Sequence, residues 1–368
     1  MKSSIILMRL ATVASVFALA LTATNAQASA IVVGDLLVYR VGTGTGGLGS
    51  VATAVFLDEY TPLGTLVQSI ALPTTGAAAL TAVGNDATAG IMSVSQNGSA
   101  LVFTGYRANA GTADPSTFAP DTVNRVIGTI GIAGLANTSV ALTDTSGTIR
   151  SATSTDGSSL FYVGTSAGLR YVGSPSGAAT STQIDSRSTR QAVLNGNTLF
   201  GSGTLAGNTT QVQSYGTLPT GATTGTPMVS LGLTAVVNGF ALFDLSPSVP
   251  GADTLYALST AQNRVIKYTF DGTSWVASGF ISANGAVDIA GVTSGSTVNL
   301  FLTSGTTLFS EIDSSGYGAN ITGTLTTLAT AGANEGFRGI VVIPEPSTFS
   351  LGLAAVATLL AALRRRRF

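Results

Sequence analysis

Residues 149–184 read IRSATSTDGSSLFYVGTSAGLRYVGSPSGAATSTQI. Four short strands stand out in this stretch: Ile149-Arg150-Ser151-Ala152, then Leu160-Phe161-Tyr162-Val163 after the Asp156-Gly157 turn, then Gly168-Leu169-Arg170-Tyr171, then Thr182-Gln183-Ile184. β-Branched and aromatic runs of this length, cut by glycine turns, are too short for helices and fit a sheet meander. The same grammar runs through the rest of the chain. Asn97-Gly98, Asn195-Gly196, Asn238-Gly239, Asn284-Gly285 and Asp271-Gly272 supply residues that tolerate the positive φ of tight turns.

A repeat appears when the strand that follows each turn is aligned. Leu101-Val102-Phe103, Leu160-Phe161-Tyr162, Leu199-Phe200, Leu255-Tyr256 and Leu300-Phe301 recur over 199 residues in four intervals, close to fifty each. Units of 40 to 50 residues with about four strands indicate propeller blades, with the aromatic packed between blades. The expected fold is therefore all-β, a β-propeller of six or seven four-stranded blades. Leading strands near Ile91, Ser151, Gln191, Val237, Val287 and Arg338 count six; a seventh has room between Phe103 and Ile149 or between Gly201 and Leu233.

The ends of the body predict how the ring closes. Gly336-Phe337-Arg338-Gly339-Ile340-Val341-Val342-Ile343 reads as a leading strand without followers, and the strands in 31–41, 51–60 and 65–72 lack a leader. Pairing them joins both ends in one blade and removes two open edges.

Outside the body lie two addresses. Lys2 and Arg9 precede the apolar run Leu10 to Leu21, and Ala26-Gln27-Ala28 or Ala28-Ser29-Ala30 offers small-residue cleavage, so residues 1–30 read as a removed signal peptide. At the other end, residues 344–368 hold Pro344-Glu345-Pro346, an uncharged run over 348–363 and four arginines at 364–367. Sixteen residues at 1.5 Å each make a helix of about 24 Å, and snorkelling arginines extend its reach towards the far headgroups. A single transmembrane helix with a cytoplasmic basic end is expected, leaving the body, residues 31–343, outside.

Composition narrows the chemistry. The chain of 368 residues has no cysteine and no histidine, and only 9% of it is charged. Cys- or His-based metal sites and imidazole catalysis are excluded. Carboxylate chemistry, a Ser-Lys arrangement around Lys267 and oxygen-ligated calcium stay open; no other cofactor is expected. Between the two addresses, ten basic side chains face sixteen acidic ones, a net charge of about minus six with no basic run, which argues against nucleic acid.

The C-terminal parts, in their order and spacing, resemble the bacterial PEP-CTERM sorting signal. That resemblance implies recognition of Pro344, Glu345 and Pro346 by exosortase, a membrane-embedded cysteine transpeptidase, with cleavage near the motif. The body in turn resembles a family of exported bacterial proteins predicted to be β-propellers, through Phe56-Leu57-Asp58-Glu59-Tyr60-Thr61-Pro62, Leu66 to Pro73, Asn124-Arg125-Val126, Ile149-Arg150-Ser151-Ala152 and Gly336-Phe337-Arg338-Gly339. The resemblance implies fold and destination and carries no activity with it.

Candidate sites follow from position within the repeat. Arg150, Arg190 and Arg338 stand near strand starts at equivalent places and, facing the channel, would hold acidic sugars or a carboxylate through bidentate bonds; the plainer alternative pairs each with a carboxylate or backbone carbonyl. Glu311 and Asp313, with Asp244 or Asp288, are a candidate channel site for calcium or a sugar hydroxyl. Asp58 and Glu59 read as a solvated strand end. The Gly42 to Gly49 stretch contains G-x-G-x-x-G but precedes a strand, so it reads as a hairpin loop. Trp275 reads as hairpin packing or a sugar platform.

The function expected is that of an exported, exosortase-processed module of the cell surface or extracellular matrix, non-enzymatic, binding exopolysaccharide or another partner. The alternative is an extracellular propeller hydrolase or polysaccharide lyase using channel carboxylates, with calcium.

Overall fold

The computed structural model describes residues 29–205, 210–229 and 236–345. Among them the chain is all-β and mainly antiparallel, its helical elements being two single 3-10 turns at Gly76–Ala78 and Pro115–Thr117. No helix among the described residues is long and apolar enough to cross a membrane. The expected membrane run over 348–363, Pro346 and the signal peptide up to residue 28 lie outside the described residues.

In chain order, β1 (Leu36–Val41), β2 (Ala52–Tyr60) and β3 (Leu66–Ala71) form a meander. The glycine-rich segment connects β1 to β2, and Gly42, Gly44 and Gly46 all take positive φ, so it is a loop between strands as expected. The short β4 (Thr81–Val83) joins this meander to the next through β2 and Thr81↔Tyr106. That next meander is β5 (Ser93–Val94), β6 (Leu101–Tyr106), β7 (Arg125–Ile130) and β8 (Ala136–Leu142). The interval between Phe103 and Ile149 is thus filled by β7 and β8.

The four strands of the Ile149 to Ile184 stretch follow: β9 (Ile149–Thr153), β10 (Phe161–Thr165) and β11 (Gly168–Gly173), with β13 (Thr182–Asp185) on the outside. Between them, β12 (Ala178–Ala179) pairs in parallel with β8 of the preceding meander. Three further four-stranded sheets run in strict order. They are β14 (Thr189–Asn195), β15 (Thr198–Leu205), β16 (Thr210–Thr217) and β17 (Thr226–Val229); β18 (Val237–Phe243), β19 (Thr254–Ser259), β20 (Arg264–Phe270) and β21 (Trp275–Ser282); and β22 (Ala286–Ser294), β23 (Thr297–Ser304), β24 (Thr307–Asp313) and β25 (Thr326–Thr330).

The last strand, β26 (Gly336–Val342), returns to β1 in antiparallel register, Leu36↔Val342 to Val41↔Gly336. Both ends of the body share one sheet, as the unpartnered strands required. The leading strands also touch in sequence: β5 meets β9, β9 meets β14, β14 meets β18, β18 meets β22, β22 meets β26 and β26 meets β5. A closed ring of first strands with sheets radiating from it is a β-propeller-like architecture.

The core lies between sheets. Phe161 of β10 packs with Val102, Tyr106 and Ile127 of the preceding sheet, and Phe301 of β23 packs with Leu36, Tyr60 and Phe337 of the following one. Each fully buried aromatic of this kind is worth about 1.5–3 kcal/mol. The Leu-aromatic repeat therefore marks the side chains that glue neighbouring sheets.

Two sequence expectations fail here for clear reasons. Asn238-Gly239 lies inside β18 and is not a turn. A Cβ at Gly239 would stand 2.5 Å from Asp288 Oδ1, so the glycine serves close approach of two leading strands. Asp58 and Glu59 are not solvated: they are 2% and 0% exposed. Arg40 binds Asp58, and the backbone N–H of Val32 and the amide of Gln68 bind Glu59. Both acids are covered because β2 lies within its sheet and the segment before β1 folds over it.

Candidate functional site

Hydrogen bonds between leading strands show which residues are equivalent. Ser151 Oγ accepts from Ala192 N at 3.0 Å, Gln191 Oε1 from Phe240 N at 2.6 Å and Asp288 Oδ2 from Ile340 N at 3.0 Å. Below these, Gly339 N donates to Gly90 O and Ile91 N to Arg150 O. In this register Arg150, Arg190 and Arg338 occupy one position on β9, β14 and β26, with Gly90, Asn238 and Val287 in the same place on the others. The recurrence seen in the sequence is a ring position.

Their surroundings differ from one another. Arg338, 5% exposed, is fully engaged by backbone: Nε donates to Asp86 O at 2.9 Å, Nη2 to Gly84 O at 2.7 Å and Nη1 to Phe337 O at 2.8 Å. Arg150, 8% exposed, donates through Nη1 to Ser188 Oγ at 2.6 Å and Thr189 O at 3.3 Å, while its Nε is buried without a partner. Arg190 has both Nε and Nη1 buried without a partner. None of the three takes part in an ion pair found among the described residues. The plain alternative, pairing with a carbonyl, holds for Arg338, in part for Arg150 and not for Arg190.

Asp86, in the loop before β5, is the acid that all three arginines sense. Burial and, after it, the neighbouring Arg190 charge pull the Arg150 guanidinium down to about 10, with Asp86 and Tyr106 opposing the shift. Arg190 and Arg338 are likewise lowered by burial and raised by Asp86. Yet Asp86 Oδ1 is spent on its own loop, accepting from Thr88 N at 2.8 Å and Thr88 Oγ1 at 2.7 Å. All three guanidinium groups remain cationic at neutral pH, so one carboxylate faces three positive charges. Buried guanidinium N–H groups without acceptors are costly alone and are repaid by an anion.

Beyond this position the channel opens into a cavity of about 360 Å³. Its walls include Met92, Ser93, Gln96, Gln191, Asn195 and Phe240, and no acidic side chain lines it. Gln96 Oε1 is buried there without a partner. Such a surface offers neutral hydrogen bonds and apolar contact.

The other candidates lie elsewhere. Glu311 and Asp313 sit on β24, the third strand of its sheet, and do not meet Asp244, which is exposed after β18, or Asp288 in the channel wall. No group of three acidic side chains is placed to hold a metal ion among the described residues. Lys267, 0% exposed, donates to Asp313 Oδ2 at 2.9 Å, Ser315 Oγ at 2.8 Å and Gly316 O at 2.6 Å. Three acceptors hold that amine in the seam between sheets, so it is not placed to serve a Ser-Lys pair. Trp275 pairs in register with Phe270, ring centroids 5.4 Å apart, which is hairpin packing. Pro344 and Glu345 follow the closing strand near the Gly98 turn.

No protein-family model matches the sequence, and no curated protein matches it. Among solved structures, the chain is similar to a candidate 6-phosphogluconolactonase from Bacteroides uniformis, at 11% identity and TM-score 0.46, covering 81% of this chain and 83% of that one. It is also similar to a nidogen/laminin complex, at 11% identity and TM-score 0.48, covering 83% and 97%.

Asp86 is the member of this group that sequence reasoning misses. It stands outside the repeating strands, and its only local signal is the Asp86-Ala87-Thr88 turn.

Proposed function

We propose that this chain is an exported, six-bladed β-propeller that is sorted to the cell surface or extracellular matrix and acts there as a non-enzymatic binding module for an anionic polymer, an acidic exopolysaccharide being the partner that fits. The observation that carries the reading is the convergence of Arg150, Arg190 and Arg338 at one ring position, with buried N–H donors left unpaired on two of them. Such donors bind and orient an anion; with a channel walled by amide, hydroxyl and apolar groups, they favour holding over cleaving.

Removal of residues 1–30 and processing at Pro344-Glu345-Pro346 by exosortase belong to the same proposal, as does a membrane helix over 348–363 before processing. Support comes from the edge of the fold. Ile343 is buried, donating to Asp35 O at 2.8 Å and accepting from Gly34 N at 3.0 Å, so the sheet is complete before Pro344 begins. A cut beyond Ile343 leaves the ring intact.

The test is retention of isolated acidic exopolysaccharide by the processed protein recovered from its host, against an R150Q/R190Q double variant. Retention by the first and loss by the second is expected. Equal retention by both overturns the arginine site, and calcium-dependent depolymerisation of the polysaccharide would replace the module with an enzyme.

A further inference from the structure

The geometry points to a narrower ligand for the arginine position: we infer that it takes a tetrahedral dianion, a phosphate monoester group, in preference to a single carboxylate. The inference rests on the binding-module reading above and adds the chemical class of the group held.

Two features of the site separate these ligands. The first is charge. Arg150, Arg190 and Arg338 face Asp86 alone, a balance of two positive charges, and no ion pair among the described residues cancels any of them. A monoanion leaves one charge buried and uncompensated, whereas a dianion closes the balance. In a partly desolvated site this difference is much larger than in water.

The second feature is the layout of free donors. Arg150 Nε belongs to β9, and Arg190 Nε and Nη1 belong to β14. A planar carboxylate is satisfied by one guanidinium fork, which would leave a donor on the other strand unpaired. A tetrahedral anion presents oxygens in several directions and can accept from both strands together. Arg338 stays tied to Asp86 O, Gly84 O and Phe337 O and contributes charge to the site while its bonds hold the Asp86 loop against β26.

Asp86 is then the group that tunes the site. With its Oδ1 held by Thr88, it lowers the local positive charge without occupying the free donors. Replacing it by asparagine keeps an acceptor for Thr88 and removes the charge.

The experiment is calorimetric titration of the full-length chain in detergent with sulfate, inorganic phosphate, acetate and glucuronate at pH 7.5 and constant ionic strength. Sulfate and phosphate are expected to bind about tenfold or more tightly than either carboxylate, a difference of about 1.4 kcal/mol. R190Q should lose about tenfold for the dianions, and D86N should gain affinity for them. Carboxylates binding as tightly as sulfate, with both sensitive to R190Q, overturns the dianion preference and leaves the acidic-polymer reading standing. Binding that R190Q leaves unchanged, or no binding of any anion, overturns both. Circular dichroism of R190Q and D86N separates a lost site from a lost fold.

Discussion

Lys267 Nζ and Asp313 Oδ2 meet at 2.9 Å across the seam between β20 and β24, and both side chains are shut off from solvent. Tyr256 OH and both Oγ and the backbone N–H of Ser315 also donate to Asp313, so one carboxylate gathers four donors. Burial alone would raise the Asp313 pKa, but the hydrogen bonds of Ser315, Tyr256 and Lys267 outweigh it and the net shift is downward. Removing the cation strands a buried anion, so Lys267→Met should cost about 3–5 kcal/mol. A Lys267→Met/Asp313→Leu pair, with no charge left to strand, should recover much of that loss. Urea denaturation of the three proteins checks it, and additive losses in the double variant would sink the account. Because the Asp313 pKa is lowered, its contribution is present above the ordinary aspartate range and fades as pH falls through the depressed value.

Closure of the ring rests on a contact that admits no side chain. A Cβ on Gly339 would lie 2.1 Å from Gly90 O and 2.6 Å from Met92 N, both backbone atoms that cannot swing aside. Gly339→Ala must push β26 away from β5 and break the Gly339 N to Gly90 O bond. A loss of about 1–3 kcal/mol or more is expected from such overpacking. Hydrogen exchange should show the loosening concentrated in β26 and β5, whereas a uniform change would argue against a local wedge.

These seams explain which parts of the molecule the sequence could announce. The Leu-aromatic strands repeat because each faces the same kind of neighbour, and Phe161 and Phe301 do pack across sheet boundaries. Arg150, Arg190 and Arg338 are legible for the same reason, since a ring position repeats once per sheet. Asp86 is not, because what places it among the arginines is the closure of β26 onto the loop before β5, through bonds 252 and 254 residues apart in sequence. Asn238-Gly239 carries the residue types of a turn, but its glycine answers to Asp288 on another sheet. Asp58 and Glu59 look solvated by their charge; Arg40 and the Val32 amide, far along the chain, determine otherwise.

Asp288 makes the stability of the ring depend on pH. It is 0% exposed, and burial pushes its carboxyl up to about 7 against the pull of N–H groups from Ile340, Ile289 and Met92. The folded chain therefore keeps this proton to a higher pH than the unfolded chain, where the ordinary value is 3.8. Between those values the native state binds more protons, so the stabilisation from this group is complete below the ordinary value, falls as pH rises towards 7 and is flat above it. The full swing is about 4 kcal/mol at most, since each pH unit between the two values contributes about 1.4 kcal/mol. Asp288→Asn removes the titration while keeping an acceptor for Ile340. Urea denaturation in steps from pH 4 to pH 8 should give a wild-type minus variant difference that declines through this window and then levels. A difference that stays constant would mean that Asp288 is ionised throughout and that its three backbone donors, rather than its burial, control the charge.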